Sequence, residues 1–535
     1  MSIIKQSFTS LPFSQLFNDY LNEKQEIISF FETKPSDLFS TFPDRKSYIS
    51  REELVKIVRD FNADLELSDY SKQNIELLLN EDTFTVTTGQ QIGLFGGYLY
   101  TLYKIVTTIK LAKELSEKHQ KNVIPIFWIA DEDHDFDEAN HVSVIKNDSS
   151  VETISIKRPS DLHQQVGREL VNEDIEKQIT HFFESSGNSQ FSEELKSWLI
   201  EDFNPKNTQK NAFLRFLNRL FGKHGLVFFG SDTKLIKQAT LPVFETAINK
   251  AVTVYHSLED QSKAIESVYH RQAMTDYSLL FLNCKRGRIK LHLDVENLIW
   301  SVDERLLSSE DLLSKIQDEP NLLSPNVFLR PIVQEFVLPN IAYIAGPGEL
   351  AYYAQMKKMY EIFDVPMPVI VPRLSATVIE RPFQRYWSEL PIQFDGYFKR
   401  IEDLEREFVA QNQPFDIENH FQSWIEASRE TAKRFKDEIV HLDQTLDQSV
   451  ERALHTYQNE LEKLKGKVSK SVKNKDEITL QRIRKVHASL YPLNGLQERT
   501  IGFAHFLNRY GLDCFEKLFD NSVSALETNH ILLFI

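Results

Sequence analysis

Cysteine is almost absent from this 535-residue chain, which contains only Cys284 and Cys514. The two are far apart and form no CxxC pair, which argues against a disulfide scaffold and a cysteine-rich metal site. Long apolar runs are also missing, since no stretch approaches the roughly 20 residues that a membrane-spanning helix needs. The first residues have neither the charged head nor the apolar run of a signal peptide. We therefore expect a soluble, cytoplasmic protein.

The chain also has no excess of positive charge. It carries 62 basic and 78 acidic residues, which gives a formal net charge of −16. A general nucleic-acid binder gains its affinity by neutralising phosphates with Lys and Arg. Binding to an anionic membrane surface depends on basic residues in the same way. We therefore expect neither nucleic acid nor a membrane as a partner.

Short apolar stretches recur along the chain, and helical patterns separate most of them. This alternation of strand and helix predicts an α/β fold with a parallel, doubly wound sheet. The predicted strands are Phe84–Thr88, Val123–Ala130, Leu226–Gly230, Ile341–Ala345 and Val369–Val371.

Two stretches interrupt this alternation, and each has the pattern of a β-hairpin. One runs from His141 to Lys157, and the other from Tyr277 to Asp294 with Lys285-Arg286-Gly287 at its turn. We interpret both as insertions into the sheet domain.

From about residue 398 to residue 490 the composition changes to Glu, Lys, Gln and Arg. Apolar residues step by threes and fours, which is coiled-coil spacing with one stutter. This predicts a helix of about 50 residues, roughly 75 Å long, whose apolar stripe needs a partner. A break near Asn474 permits a return helix that covers part of the stripe, and a second subunit can cover the rest. The apolar positions are Phe435, Ile439, Leu442, Leu446, Val450, Leu454, Tyr457, Leu461, Leu464 and Val468.

These patterns together divide the chain into consecutive segments. The predicted segments are the first part of the sheet core (1–141), an insertion (142–221), the second part of the core with a hairpin insertion near 270–325 (222–390), a helical coiled-coil domain (391–492) and a C-terminal segment that returns to the core (493–535).

A glycine-rich turn follows the first predicted strand, with four glycines in the nine residues from 89 to 97. Glycine lets a ligand approach the backbone closely, and the next helix would direct its N-terminal amides at an anion. The turn matches neither GxGxxG nor GxxxxGK[ST]. The alternative is that the glycines serve only close packing of strand and helix. The substrate-binding candidates here are Gln90, Gln91, Gly93, Gly96, Gly97, Tyr100 and Lys104.

The second predicted strand runs directly into six carboxylates and two imidazoles within residues 131–141. A strand that is apolar throughout is buried on both faces, and open α/β folds place their sites at the carboxyl ends of such strands. His134 can act as a general acid or base, with Glu132 or Asp133 tuning its pKa. The alternatives are ligation of a divalent metal, although no tight metal-binding spacing is present, and a solvated run of charge. We assign no metal site.

Cations and glycines follow the fourth and fifth predicted strands. Gly348 and Glu349 lie in Gly-Pro-Gly-Glu (346–349), Arg373 follows the fifth strand, and Arg330 lies upstream beside an amide and an acid. Arg330 and Arg373 can clamp a carboxylate in bidentate fashion. The alternative is that each arginine is a partner in a structural salt bridge.

At these residues the chain resembles the bacillithiol-biosynthesis cysteine-adding enzymes, a family of cysteine ligases. The similar segments extend from residue 88 to residue 499, so the resemblance covers essentially the whole chain. They are Thr-Gly-Gln-Gln-x-Gly-Leu-x-Gly-Gly-x-Leu-Tyr-Thr (88–101), Phe-Trp-Ile-Ala-x-Glu-Asp-His-Asp (127–135) with Asn140-His141, Ser-Pro-Asn-Val-x-Leu-Arg-Pro (324–331), Gly-Pro-Gly-Glu (346–349), and Tyr491-Pro492 with Gln497-Glu498-Arg499.

The resemblance implies a Rossmann-like core with connecting-peptide insertions and a coiled coil through which the protein forms a homodimer. It also implies that cysteine is joined to the glucosamine amine of glucosaminyl-malate. Amide formation from a free carboxylate is uphill in water, so we expect activation, most simply as an acyl-adenylate or acyl-phosphate. The activating cofactor is unknown from the sequence; a nucleotide such as ATP is one candidate, with contacts from Tyr491 and Arg499.

Within that reaction His134 is the proposed base, oriented by Glu132 or Asp133. Two rival functions stay open. One is a metal-dependent hydrolase that uses the acidic and histidine residues of 131–141. The other is a non-catalytic scaffold built on the coiled coil, which leaves the clustering of polar residues at strand ends unexplained.

Overall fold

The computed structural model describes residues 2–40, 42, 45–158, 164–303, 305–412, 416–439, 441, 443–475 and 477–535. The chain forms two compact units. The first contains Met1–Ile379 and Gly495–Ile535, and the second contains Glu380–Asn494. The chain therefore leaves the first unit and later returns to it.

All described strands lie in the first unit. They are β1 (Ser2–Ser7), β2 (Thr83–Gln90), β3 (Asn122–Ile129), β4 (His141–Ile145), β5 (Val151–Ser155), β6 (Val227–Gly230), β7 (Leu280–Cys284), β8 (Gly287–Lys290), β9 (His292–Asp294), β10 (Ile299–Val302), β11 (Arg305–Ser308), β12 (Leu323–Pro325), β13 (Asn340–Ala345), β14 (Val369–Pro372), β15 (Ala376–Ile379) and β16 (Asn529–Phe534).

The central sheet has five parallel strands in the order β14-β13-β2-β3-β6. Each corresponds to one of the predicted strands, so the predicted parallel α/β core is confirmed. The chain builds the sheet outward from β2 in one direction and then continues with β13 on the other side. The switch in strand order therefore lies between β2 and β13, where open α/β folds bind ligands.

The sheet is buried, and most of its strands are largely apolar, although β2 contributes four buried threonines. In β3 every residue from Val123 to Ile129 is buried, and Trp128 and Phe127 are among the largest fully buried side chains of the molecule. β-Branched and aromatic residues favour this pleated, packed environment.

Most of the described helices belong to the first unit with this sheet, and those between residues 381 and 490 form the second unit. The described helices are α1 (Gln15–Leu21), α2 (Gln25–Ile28), α3 (Arg51–Phe61), α4 (Asp69–Leu77), α5 (Leu99–His119), α6 (Phe136–Ala139), α7 (Ile175–Ser186), α8 (Ser192–Asp202), α9 (Gln209–Phe221), α10 (Lys234–Ala239), α11 (Leu241–Asn249), α12 (Ala251–Glu266), α13 (Ser309–Asp318), α14 (Leu329–Val337), α15 (Pro347–Tyr353), α16 (Lys357–Ile362), α17 (Arg381–Glu389), α18 (Ile401–Gln411), α19 (Ile417–Ile439), α20 (Asp447–Lys475), α21 (Glu477–Leu490), α22 (Gln497–Thr500) and α23 (Phe503–Tyr510).

Several helices begin at a Ser or Thr whose side chain accepts a hydrogen bond from a backbone N–H of the first turn. Ser50 caps α3, Thr208 caps α9 and Thr233 caps α10 in this way. Such caps satisfy amides that have no partner inside the helix. Among the described residues, no helix is both long and apolar enough to cross a membrane.

Both predicted hairpins are present. β4 pairs with β5, and β7 pairs with β8, in each case antiparallel. β7 also pairs with β12, which ties the second hairpin to the segment just before α14. The C-terminal strand β16 lies between β1 and β15 in a separate sheet, an arrangement that the sequence pattern did not indicate.

The predicted helix of about 50 residues is wrong. In the second unit α19 ends at Ile439 and α20 begins at Asp447, and the two form an antiparallel pair. Ile417, Phe421 and Ile425 of α19 pack against Leu461 of α20. The apolar spacing continues through the break, so the pattern alone does not reveal the turn; Leu442 lies outside the described residues.

The return helix is α21, which begins just after the predicted break. It contacts α17 and α18 through Arg482–Glu389 and Arg484–Glu405 ion pairs. The apolar residues of α20 therefore pack mainly against α19, which precedes α20 in the chain, and not against the return helix.

Candidate active site

A cleft of about 570 Å³ opens at the carboxyl ends of the five parallel strands. Every strand of the sheet contributes a residue at or just beyond its end: Gln90 from β2, His134 after β3, Ser231 after β6, Gly346 after β13 and Arg373 after β14. The predicted site residues that line it are Gln90, Gln91, Tyr100, Lys104, Glu132, Asp133, His134, Arg330, Gly348, Glu349, Arg373 and Arg499.

The remaining predicted residues lie elsewhere. Gly93, Gly96 and Gly97 do not line the cleft, because the glycine-rich turn packs against the returning C-terminal segment. A Cβ on Gly96 would lie 2.3 Å from Cζ of Phe503, and Gly96 has a φ of +91°. Tyr491 belongs to the second unit, where its ring packs against Phe398 and His487.

His134 lies between a carboxylate and a guanidinium. Its Nδ1 is 3.2 Å from Nη1 of Arg288 and 3.6 Å from Oδ1 of Asp133. Burial, and after it the Arg288 charge, lowers the pKa of His134 below its usual value, against the opposing effect of Asp133. The imidazole is therefore neutral at pH 7.

The carboxylate nearest His134 is Asp133, and its own position is set by hydrogen bonds. Its Oδ2 accepts from Nε2 of Gln91 at 2.7 Å, and its Oδ1 accepts from the backbone N–H groups of His134 and Asp135. Glu132 faces another partner: it forms a buried ion pair with Lys237, which also donates to the carbonyl of Leu323. Of the two proposed orienting carboxylates, only Asp133 is beside the imidazole.

A second buried ion pair joins Lys104 of α5 to Glu349 of α15. Nζ of Lys104 also donates to the carbonyl of Gly89 and to Oε1 of Gln90, at 2.6 and 3.0 Å. Glu349 accepts from the Tyr343 hydroxyl at 2.6 Å and from the Gly346 N–H at 2.8 Å. These contacts connect the ends of β2 and β13 at the switch in strand order.

A third buried ion pair joins Arg373 to Glu498. Both Nη atoms of Arg373 donate to this carboxylate, at 2.7 and 3.0 Å, and Ser375 Oγ donates to it at 2.7 Å. Burial raises the pKa of Glu498, but Arg373, together with His530 and Ser375, holds the pKa below its usual value. Arg373 is thus already neutralised within the protein.

Arg330 differs from these cations because, in the part of the chain that the structure describes, no carboxylate lies within ion-pairing distance of it. Its guanidinium donates to Oε1 of Gln334 at 3.2 Å and to the Tyr343 hydroxyl at 3.4 Å. The exposed Arg499 likewise has no carboxylate partner among the described residues, and both arginines line the cleft. The cleft therefore offers positive charge to a bound anion.

Comparisons with known proteins decide the family. The family model "Bacillithiol biosynthesis BshC, N-terminal Rossmann-like domain" matches residues 1–374. The model "Bacillithiol biosynthesis BshC, C-terminal coiled-coil domain" matches residues 376–535. The chain belongs to the BshC family. The expected family, with its Rossmann-like and coiled-coil domains, is confirmed.

Curated relatives of this BshC family chain carry the name "Putative cysteine ligase BshC". The relative from Salinibacter ruber is 30% identical over 523 residues, which is 97% of this chain and 95% of the relative. The relative from Bacillus cereus is 28% identical over 533 residues, 98% of each chain. A relative from Bacillus anthracis is also 28% identical over 533 residues, again 98% of each chain.

Sequence reasoning missed Arg288, which lines the cleft, and it missed Lys237 and Glu498, which form ion pairs with the cleft residues Glu132 and Arg373. Arg288 lies in a predicted hairpin, but no sequence pattern indicates that this hairpin contacts His134, which lies 154 residues earlier in the chain. Lys237 is likewise remote in sequence from Glu132. Glu498 had a signal, since it lies in the Gln-Glu-Arg segment (497–499) that carries the family resemblance.

The acidic stretch does not gather into a cluster of ligands. Asp131 is fully buried and accepts hydrogen bonds from the backbone of Ser231 and Asp232, Glu132 pairs with Lys237, and Asp133 holds Gln91. Within the described ranges, no group of three or more His, Cys, Asp and Glu side chains is placed to hold a metal ion.

Proposed function

We propose that this chain is the ligase that joins L-cysteine to the glucosamine amine of glucosaminyl-malate, which gives bacillithiol. Family membership supports the reaction class, because the curated relatives are named cysteine ligases. The observation that carries the proposal is one cleft that contains both a neutral imidazole, His134, and a guanidinium without a carboxylate partner among the described residues, Arg330. The imidazole of His134 serves the acyl transfer, and the guanidinium of Arg330 binds an anionic substrate.

Arg330 is the proposed anchor for a carboxylate of the malate group. A guanidinium forms strong, charge-assisted hydrogen bonds with a carboxylate. Arg373 was an equal candidate from the sequence, but its pairing with Glu498 leaves it less able to bind another anion. Arg499 is the proposed contact for a second carboxylate or for a phosphate group.

His134 is the proposed residue at the reacting centre, where the sugar amine attacks the activated carboxyl carbon of cysteine. Asp133 and Arg288 set the position of its ring. The C–N bond forms as the bond from carbon to the activating group breaks. The activating group leaves with the bonding electron pair, and the amine nitrogen loses its proton to that departing group or to water.

Activation of the cysteine carboxylate requires a group that the sequence does not identify. A nucleotide such as ATP would supply this activation. The cleft fits such an anion, because the exposed Arg499 has no carboxylate partner within the described residues. The contact of Tyr491 with a nucleotide stays a proposal.

The reaction itself is tested by incubating the pure protein with cysteine, glucosaminyl-malate and each of several nucleoside triphosphates. We expect a product with the mass of bacillithiol with at least one nucleotide, and loss of that product in His134→Ala. Cells that lack the protein should accumulate glucosaminyl-malate and contain no bacillithiol. Normal bacillithiol in such cells would reject the ligase and favour the scaffold.

The anchor is tested with Arg330→Met. Loss of a charge-assisted pair costs about 1.5–3 kcal/mol, so KM for glucosaminyl-malate should rise about 10- to 100-fold. KM for cysteine should stay unchanged. Arg59→Met, which removes an exposed arginine of α3, is the matched control. An unchanged KM for glucosaminyl-malate in a folded Arg330→Met protein would move the anchor to another residue.

A further inference from the structure

The contact between Arg288 and His134 determines which ring nitrogen carries the hydrogen. A guanidinium has five N–H donors and no acceptor. Arg288 Nη1 lies 3.2 Å from His134 Nδ1, so Nδ1 must accept. In a neutral imidazole one nitrogen accepts and the other is protonated, which places the hydrogen on Nε2. Within the described part of the chain, Nε2 has no partner.

Arg288 is held in this position by several further contacts. Its Nε donates to Ser324 Oγ at 2.9 Å, and its Nη2 donates to the carbonyl of Pro325 at 2.6 Å. Its guanidinium carbon lies 3.8 Å from the centre of the Phe281 ring. The side chain is only 8% exposed. The hairpin β7–β8 thus presents to His134 a donor whose position is fixed by these contacts.

We infer that Arg288 is a positioning residue that keeps His134 in the Nε2–H form, so that His134 donates a hydrogen bond to substrate. The identity of the hydrogen-bond acceptor on the substrate rests on the proposed function: we assign it as the acyl oxygen of cysteine. This replaces the role of base that the sequence suggested for His134, because the nitrogen that is free to meet a substrate already carries a hydrogen.

This role fits the chemistry of amide formation. When the amine attacks, negative charge develops on the acyl oxygen, and a preorganised N–H donor stabilises that charge. No proton moves to or from His134. The charged groups that act on the ring are Asp133 and Asp135 of its own segment, Arg288 of β8, and Arg158. Asp133 uses its oxygens on Gln91 and on backbone amides, so it does not compete for Nδ1.

The tautomer is tested by NMR on the full chain with ¹⁵N-labelled histidine, where His134→Gln identifies the His134 signals. We expect an unprotonated Nδ1 and a protonated Nε2 at neutral pH. Arg288→Met should shift His134 toward the Nδ1–H form, whereas Arg288→Lys, which retains a donor, should shift it less. A protonated Nδ1 in the wild type, or no change in Arg288→Met, would overturn the inference. This measurement needs no turnover, so its result does not depend on whether the proposed ligase function is correct.

The role toward substrate is tested by the cysteine-adding activity of two variants. Gln presents an N–H donor near the position of Nε2 but cannot act as a base. His134→Gln should therefore retain at least 10-fold more activity than His134→Ala, and Arg288→Met should lower kcat with little effect on KM for glucosaminyl-malate. Equal inactivity of His134→Gln and His134→Ala, in folded proteins, would restore the role of base.

Discussion

At the scale of single residues, the cleft is a set of buried charges that are almost all neutralised by a neighbour. Glu132 pairs with Lys237, and Arg373 pairs with Glu498. A buried charge is tolerated only when a partner and further hydrogen bonds compensate its lost hydration. Arg330 is an exception, because it has no carboxylate partner among the described residues. We expect a carboxylate of the substrate to supply that partner.

Burial of Asp131 opposes the ionisation of its carboxyl group. Burial raises its pKa from 3.8 to about 7, against the lowering effect of Lys210, 3.8 Å away. A carboxyl group with a raised folded-state pKa stabilises the fold fully below about pH 4 and loses this contribution as pH rises toward 7. Asp131→Asn should flatten that part of the curve of unfolding free energy against pH.

Denaturant unfolding at several pH values checks this prediction. The matched control is Asp260→Asn, which changes an exposed aspartate of α12 and should leave the pH dependence as in the wild type. If Asp131→Asn and the wild type show parallel curves from pH 4 to pH 7, Asp131 does not titrate as described.

At the scale of elements, strand ends build the site and the glycine-rich turn holds it in place. The turn between β2 and α5 has the backbone conformation and close contacts that glycine allows. Phe503 N–H donates to the carbonyl of Gly97, and the Phe503 ring lies against Gly96. The packing alternative raised for these glycines thus accounts for the three that do not reach the cleft.

Gly96→Ala should therefore destabilise the first unit by more than about 1 kcal/mol, because its φ and the Phe503 ring both exclude a Cβ. Gly466→Ala is the contrasting variant: nothing lies within 4 Å of a Cβ there. It lies inside α20, where Ala is favoured over Gly by about 0.5–1 kcal/mol. Calorimetry should show the two variants moving in opposite directions, and a stabilised Gly96→Ala would contradict this account.

The sequence was a good guide to the sheet and a poorer one to the contacts between distant segments. Short stretches of apolar and β-branched residues located all five parallel strands, because such residues favour buried strands. The strand-end rule then brought His134 and Arg373 to one cleft, whereas Arg330, which also lines the cleft, lies in α14. The hairpin residue Arg288 could not be assigned, since local spacing carries no information on what a surface hairpin covers. The break after Ile439 was missed for a related reason, as the apolar period does not change there.

At the scale of the whole molecule, the second unit exposes apolar side chains along its paired helices. Trp424 and Phe435 of α19 are 48% and 53% exposed, and Tyr457 and Leu464 of α20 are 42% and 41% exposed. Rows of exposed apolar residues mark association surfaces. They support the proposal, made from the coiled-coil spacing, that the protein forms a homodimer through this unit.

The double variant Phe435→Glu and Leu464→Glu should convert the proposed dimer to a monomer, because it places buried charge in the interface. Sedimentation velocity measures the change directly. Tyr70→Glu, at a side chain of the first unit that is 65% exposed, is the control and should leave the dimer intact. A wild-type monomer, or a dimer that survives both substitutions, would reject association through this surface.

The pairing of β1 with β16 determines how late in synthesis the small sheet of the first unit can form. Ser2 lies opposite Phe534 in this ladder, and β16 also joins β15. The first unit therefore cannot complete its small sheet until the ribosome has released residues beyond the entire helical unit. Until then β15 lacks its neighbour β16, and the cleft residue Arg373 lacks its partner Glu498, so the cleft stays unfinished until the segment after the helical unit has emerged.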